Sequence, residues 1–285
     1  MKDKKIAILL TCHNRKHKTL ECLKALYLNE IPEGYSFDVF LVDDGSTDGT
    51  SEVITEKFPK INLIQGTGNL FWAGGMRLAF NSISVIKEFE LLLLLNDDTI
   101  LYKNCLIDLI QTHQYTLKQY GKTSIYVGST QDPITKEFTY GARKFYNKKA
   151  VRVLPSDSPK VADFANANIL MISSVVINNL GFFDTTFTHG IADYDYTLNA
   201  GKKGYPIVVC PNYQGSCIND HGNNWLSTSS TLKNRVTYLY SPTGLSYREY
   251  TYYIKKNFGV IAYVFAVSKL WLKTIFPFIW DVLKK

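Results

Sequence analysis

The chain has 285 residues, 46% of them apolar, and a formal net charge of +7. That composition supports a full core and excludes wholesale disorder. The charge is unevenly placed: after residue 230, nine Lys and Arg against Glu249 and Asp281 carry the whole excess, and the remaining 23 basic and 23 acidic residues balance, which argues against nucleic acid as the partner of the main domain.

The opening run "KIAILLT" (5–11) reads as a buried strand. Its apolar part is too short for a secretory signal, and five cysteines without framework spacing suit a reducing cytosol, so a cytoplasmic location is expected. Residues 16–29 place Leu20, Leu23, Leu26 and Tyr27 at helical spacing. "FDVFLVD" (37–43) is a second strand. "DGSTDGT" is turn chemistry in which Ser46, Thr47 or Asp48 caps a helix running to about Phe58. "INLIQ" (61–65) is a third strand, "GTGNLFWAGG" a loop, 76–88 a helix and "ELLLLL" (90–95) a fourth strand, followed by a helix over 104–118.

This alternation implies an α/β fold, a mostly parallel sheet with helices on both faces. Beyond residue 124 the pattern breaks into short strand-like pieces. A short helix over 173–181 is closed by Gly181, a helix over 191–204 opens with Asp193 and Asp195, and a strand covers 206–210. The main domain is expected to span 1–230, and 231–285 to form a basic, aromatic-rich helical extension.

In open α/β sheets, ligands bind beyond the carboxyl ends of the strands. Thr11 to Asn14 follow the first strand, Asp43 and Asp44 the second, and Asn96, Asp97 and Asp98 the fourth. Carboxylates with a few waters suit a hard divalent cation, Mg²⁺ or Mn²⁺, which most often neutralises a diphosphate leaving group. A separate carboxylate near Asp193 would act as general base. "GTGNLF" lacks the third glycine of a dinucleotide fingerprint, no P-loop is present, and Cys210, Cys217 and His221 do not match zinc spacing.

With these residues in place, 4–222 resembles glycosyltransferase family 2, inverting nucleotide-sugar enzymes with a GT-A fold. "ILLTCHNR", "VDDGSTDGT", "GNLFWAGGMRLAF", "LLLNDDTIL" and "IADYDYTLNAGKKGY" occur in the family's order, the last three in the form seen in bacterial polysaccharide and rhamnosyl transferases. The resemblance implies donor binding by Thr11, Asp43, Asp44, Asn69, Gly74, Gly75 and Asp97, a metal on Asp98 and His221, and Asp193 as catalytic base. It departs from the pattern at Ala192, where a glutamate is usual, and at Asn199, where an arginine is common. It further implies a UDP-hexose or dTDP-rhamnose type of donor and a glycan or lipid-linked acceptor in surface polysaccharide synthesis. Two rivals are a catalytically inactive sugar-nucleotide-binding protein, which Ala192 and Asn199 motivate, and a nucleotidyltransferase, which normally shows a basic glycine-rich loop where this chain has "TCHNRKHK".

The tail 258–285 is rich in aromatic and aliphatic residues. Lys269 and Lys273 fall near the middle of its apolar stretch, each unfavourable at a bilayer centre by ~2.5–3.5 kcal/mol. An amphipathic helix lying on an anionic membrane surface is therefore expected, with packing on the domain or a homodimer contact as the alternatives.

Overall fold

The computed structural model describes residues 3–83, 88–218 and 230–279. The first half follows the β–α alternation: β1 (Lys4–Cys12), α1 (Lys16–Tyr27), β2 (Tyr35–Asp43), α2 (Thr50–Lys57), β3 (Asn62–Gln65), α3 (Phe71–Asn81), β4 (Phe89–Leu95), a short β5 (Ile100–Leu101) and α4 (Cys105–Tyr120). The second half contains β6 (Ile125–Gln131), β7 (Ala142–Tyr146), β8 (Lys149–Arg152), β9 (Lys160–Ala162), β10 (Phe164–Ala165), β11 (Ile169–Ser173), α5 (Ser174–Leu180), α6 (Ala192–Lys202), β12 (Ile207–Ser216), α7 (Leu232–Tyr240) and α8 (Tyr247–Ile275).

The main sheet runs in the order β3-β2-β1-β4-β11-β6-β12-β5, with β9 beside β12. The first four strands of that order are parallel. β11 enters antiparallel between β4 and β6, and β6 and β12 are again parallel, so the sheet is mixed. A small antiparallel sheet, β10-β7-β8, stands apart.

The five leucines of β4 explain themselves in this setting. Successive side chains of a strand face opposite ways. Leu91, Leu93 and Leu95 join one core with Leu23 and Leu26 of α1 and Leu106, Leu109 and Ile110 of α4. Leu92 and Leu94 join the other with Ala73, Met76 and Ala79 of α3 and Val176 of α5. A strand covered on both faces has no polar side, and its end is held rigidly.

Two elements differ from the sequence expectation. Helix α3 begins at Phe71, not at 76, so Gly74 and Gly75 lie inside it. The helix crosses close to the end of β1: a Cβ on Gly75 would lie 2.2 Å from Thr11 Oγ1. The pair reads as loop chemistry but serves close packing. The second is α8. Gly259 has φ 86° and ψ 178°, a backbone open essentially to glycine alone, and it divides the helix into arms over 247–258 and 260–275.

The first arm is tied to the domain by charge. Glu249 accepts the backbone N–H of Thr188 at 3.1 Å and also its hydroxyl. Lys256 Nζ lies 2.6 Å from Asp195 Oδ2 and 3.0 Å from Asp184 Oδ2, and Asn257 Nδ2 donates to Asp195 Oδ1 at 2.8 Å. The second arm shows an apolar face to solvent, with Ile261 77% and Phe265 73% exposed, joined by Val264, Leu272 and Ile275.

Candidate functional site

A cleft of about 490 Å³ opens where β1, β2 and β4 end, and α6 closes it from the other side. Its lining brings together Thr11, Asp44, Asp97, Asp98 and Asp193 from segments far apart in the chain. A larger hollow of about 660 Å³ lies near the end of α6. Its two charged side chains are already engaged, since Asp163 accepts the Phe145 N–H and Lys202 donates to Asn257, so it lacks the convergent carboxylates of the smaller cleft.

Each carboxylate has a distinct setting. Asp44 follows the last residue of β2 and accepts the backbone N–H groups of Gly68 (2.7 Å), Leu70 (2.8 Å) and Phe71 (3.1 Å). It ties the loop to the start of α3 and still borders the cleft. Asp43, one residue earlier, faces away. It is fully buried, accepting the Ser46 N–H at 2.9 Å and the Ser51 hydroxyl. Neither Asp43 nor Asn69, Gly74 or Gly75 lines the cleft. Asn69 is exposed, and the two glycines are buried under Leu70 and Thr11.

Asp97 is 5% exposed, and Thr19 donates its hydroxyl to it at 3.1 Å. Burial pushes its carboxyl up to about 7, against the pull of Arg15. Asp98 points further outward and meets Arg15 Nη1 at 2.8 Å. Asp193, in the first turn of α6, accepts the N–H groups of Tyr194 (2.8 Å) and Ala167 (2.9 Å). Burial still lifts its carboxyl to about 6. Its neighbour Asp195 is occupied by Lys256 and Asn257 and takes no part in the cleft lining. His221 lies outside the described residues. Ala192 is buried in the core, leaving no polar group where a glutamate would stand.

The cleft also holds His13 and Asn96, which the sequence places at strand ends without assigning a role, and further residues that sequence reasoning passed over. Trp72 Nε1 donates to Asn96 Oδ1 at 2.8 Å, and His189 Nδ1 accepts the Trp72 N–H at 3.4 Å. His13 Nδ1 donates to the Asp44 carbonyl at 2.6 Å. Tyr140, Asn166, Asn168, Tyr194 and Thr243 complete the wall. Thr243, in the turn before α8, belongs to the C-terminal extension. Arg15 and His189 stand within the stretches "TCHNR" and "THGIADYD", but a role for either depends on partners far along the chain.

The donor chemistry at Asp97 and Asp98 fits Mg²⁺ or Mn²⁺. Both side chains offer hard oxygens, and magnesium is commonly held by one or two carboxylates together with substrate phosphates. Among the described residues no cluster of three His, Cys, Asp or Glu is poised to enclose an ion. The cleft thus offers an open platform, with a half-buried carboxylate on the opposite wall.

Comparison with known proteins gives a consistent family. The model of the family described as "Glycosyl transferase family 2" matches residues 7–177. Among solved structures, S. aureus TarS 1–349 superposes with a TM-score of 0.51 at 15% identity, over 75% of this chain and 60% of that one. TarS 1–349 in complex with UDP gives 0.51 at 16% identity over the same shares. Its complex with UDP-GlcNAc gives 0.51 at 16%, over 82% of this chain and 65% of that chain. The chain therefore spans less than two thirds of those structures, and at such identities the likeness concerns the fold. A comparison with curated proteins returns no match.

Proposed function

The chain belongs to glycosyl transferase family 2, and from that premise we propose that it is an inverting, metal-dependent glycosyltransferase. It moves a sugar from a nucleoside-diphosphate donor of the UDP-hexose or dTDP-rhamnose type to a hydroxyl of a glycan or lipid-linked acceptor. The S. aureus TarS structures with UDP and UDP-GlcNAc support a uridine nucleotide as the first donor to try.

The observation that carries the reading is the placement of Asp97 and Asp98 on one wall of a cleft whose other wall holds Asp193. Thr11 and Asp44 flank the nucleoside end. Asp98, with Asp97 and His221, would hold a divalent cation, which when bound supplies charge neutralisation of the departing diphosphate. Asp193 Oδ takes the proton of the acceptor hydroxyl as that oxygen attacks the anomeric carbon from the face opposite the diphosphate. The Ala167 and Tyr194 N–H groups fix the carboxylate for that transfer. Such general-base assistance is worth ~10²–10⁴-fold.

The acceptor side favours a membrane location. The exposed apolar arm over 260–275, with Lys255, Lys269 and Lys273 beside it, suits a helix lying in the headgroup region of an anionic inner leaflet. This would make the enzyme peripheral on the cytoplasmic face, near a lipid-linked acceptor of surface polysaccharide synthesis.

The test is a thermal-shift screen of nucleoside diphosphates and nucleotide sugars with Mn²⁺, followed by donor hydrolysis without acceptor. A donor at 100 times its dissociation constant adds ~2.7 kcal/mol to stability. Inertness toward every donor, with no shift, would sink the proposal.

A further inference from the structure

The even charge balance of residues 1–230 conceals one local excess. Between Glu137 and Asp157 the chain has no acidic residue and five basic ones, Arg143, Lys144, Lys148, Lys149 and Arg152. All five fall on the hairpin of β7 and β8, where Arg143 is half-buried and the others are exposed. Among the described residues none of the five forms an ion pair. The hairpin holds this charge against its own local structure. Arg143 lies directly opposite Arg152, and like charges facing each other across an antiparallel pair are destabilising. At the tip Tyr146 pairs with Lys149, and Asn147 and Lys148 have φ 48° and 61°. Two such residues make the tight turn for which Asn-Gly is preferred. Asparagine takes the first place, but a lysine takes the second, where glycine would fit without strain.

The base of the hairpin reaches the cleft. Tyr140, shortly before β7, and Tyr194, the neighbour of Asp193, both line it. Burial raises the Tyr194 hydroxyl, against the pull of the Arg143 guanidinium that hydrogen-bonds to it. Arg152 stands over the Phe138 ring, 5.5 Å from its centroid. Residues directly opposite in an antiparallel pair share a face of the sheet, so both guanidinium groups belong to one face. Each presents a planar fork of donors that matches the oxygens of a phosphate or a carboxylate. An anion held there would also relieve the repulsion between them. The acidic residue within this small sheet region, Asp163, accepts the Phe145 N–H at 2.6 Å. A membrane surface asks only for scattered lysines, whereas two opposed arginines at the rim of a reaction cleft suit discrete anionic groups on the molecule that enters it.

We propose that the β7–β8 hairpin is an acceptor-binding element, and that the acceptor it takes is an anionic glycan, one carrying phosphate or carboxylate groups along its chain. This rests on the glycosyltransferase reading and deepens it to the class of acceptor. The hydroxyl to be glycosylated lies at Asp193, an anionic group beside it meets Arg143 and Arg152, and the chain continues along Lys144, Lys148 and Lys149 outside the cleft. The lysine at the strained turn position extends the basic track to the hairpin's tip.

The experiment reads binding without turnover. Three probes of similar length are titrated calorimetrically into the full-length protein: short poly(glycerol phosphate) for phosphodiesters, oligogalacturonate for carboxylates, and dextran without charge. Wild type should bind an anionic probe, less tightly as salt rises, and bind dextran roughly tenfold more weakly or worse. Arg143→Gln/Arg152→Gln should weaken the anionic probe roughly tenfold. Lys148→Gly should weaken it about two- to threefold, while its urea midpoint is no lower than that of wild type, which separates charge from folding. Lys60→Gln/Lys233→Gln, which removes exposed charge elsewhere, should leave probe binding unchanged. Dextran binding equal to that of the anions, no binding of any probe, unchanged affinity in both hairpin variants, or an equal loss in the control pair overturns the proposal. So does a loss of anionic-vesicle sedimentation in the hairpin variants with soluble-probe binding intact, which would give the hairpin to the membrane. Mn²⁺-dependent UDP binding should be the same in wild type and hairpin variants, and a loss confined to the variants would assign the charge to the donor instead. Inertness of wild type toward every nucleotide would sink the glycosyltransferase reading without altering the probe titrations, so the two fail separately.

Discussion

Asp193 shows how a fold prepares a single residue for the base role proposed for it. Its carboxyl lies in a half-buried position that lifts it to about 6 from 3.8, while two N–H donors keep it oriented. A base poised just below neutral pH is ionised when the enzyme works and still takes a proton readily. The acidic limb of the pH profile of kcat/KM should bend near pH 6. Asp193→Asn should lower turnover ~10²-fold or more with donor affinity nearly unchanged, as steady-state kinetics and donor titration would read. The same shift has a consequence for stability. A carboxyl raised by the fold stabilises fully below its ordinary value, and that contribution is lost as pH rises through about 6. Wild type should therefore lose stability relative to Asp193→Asn between pH 4.5 and 7.5, measured by urea unfolding. Asp98→Ala should abolish Mn²⁺-dependent donor binding while circular dichroism stays unchanged; unaltered calorimetric affinity would remove Asp98 from the metal role. The placement of Asp98 and Asp193 at the cleft was legible because each sits at the end of a recognisable pattern, an apolar strand and a helix start. Asp43 was not separable from Asp44 by sequence, since neighbouring side chains at a strand end turn opposite ways and only the fold says which way is in. Arg15 was invisible for a different reason: its partner Asp98 is 83 residues further on.

Elements carry the site as much as side chains do. The β–α alternation of the first half could be read because buried parallel strands and amphipathic helices have different periods. The start of α3 could not, because a glycine pair reads as a turn until the neighbour it must approach is known. That packing makes a direct prediction. Gly75→Ala places a methyl 2.2 Å from Thr11 Oγ1 and 2.7 Å from its Cβ, so the strand end or the helix must shift. The expected loss is about 1–3 kcal/mol in urea unfolding, with weaker donor binding because Thr11 lines the cleft. The reversal at β11 also lay beyond reading, since strand direction leaves no mark on a short apolar run. So did the tie between α8 and α6. Lys256, the loop residue Asp184 and the buried Asp195 are brought together by folding alone, and Glu249 reaches Thr188, whose carbonyl in turn accepts the Ala73 N–H at the start of α3. The first arm of α8 thus braces both α6, which bears Asp193, and the start of α3 beside the cleft. Lys256→Met should lower stability by about 1–3 kcal/mol, because it leaves Asp195 with Asn257 as its remaining side-chain donor.

At the scale of the whole molecule, charge and apolar surface are concentrated in one place. Tyr247–Ile275 is, among the described residues, the helix long and apolar enough to cross a membrane by composition. The break at Gly259 changes that arithmetic. Sixteen residues remain beyond it, and at 1.5 Å each they reach ~24 Å, short of the ~30 Å hydrocarbon core. The first arm cannot make up the length, because Glu249, Lys256 and Asn257 hold it on the domain. A second arm too short to span, with an exposed apolar face and lysines beside it, suits an orientation in the membrane plane. Truncation at residue 240 is a poor test of this, since it would remove the braces on α6 and the Thr243 wall along with the apolar arm. Ile261→Glu/Phe265→Glu instead changes two highly exposed positions that lie beyond the braces, and it should leave unfolding and donor binding intact. Wild type should sediment with vesicles containing anionic phospholipid at low salt, be released as ionic strength rises, and bind neutral vesicles far less, since each lysine near the surface contributes about 1 kcal/mol. The double variant should stay in the supernatant throughout. Equal sedimentation of variant and wild type, or a wild type indifferent to vesicle charge, would assign this face to a protein contact, and sedimentation equilibrium without lipid would then show whether that contact is a second copy of the chain.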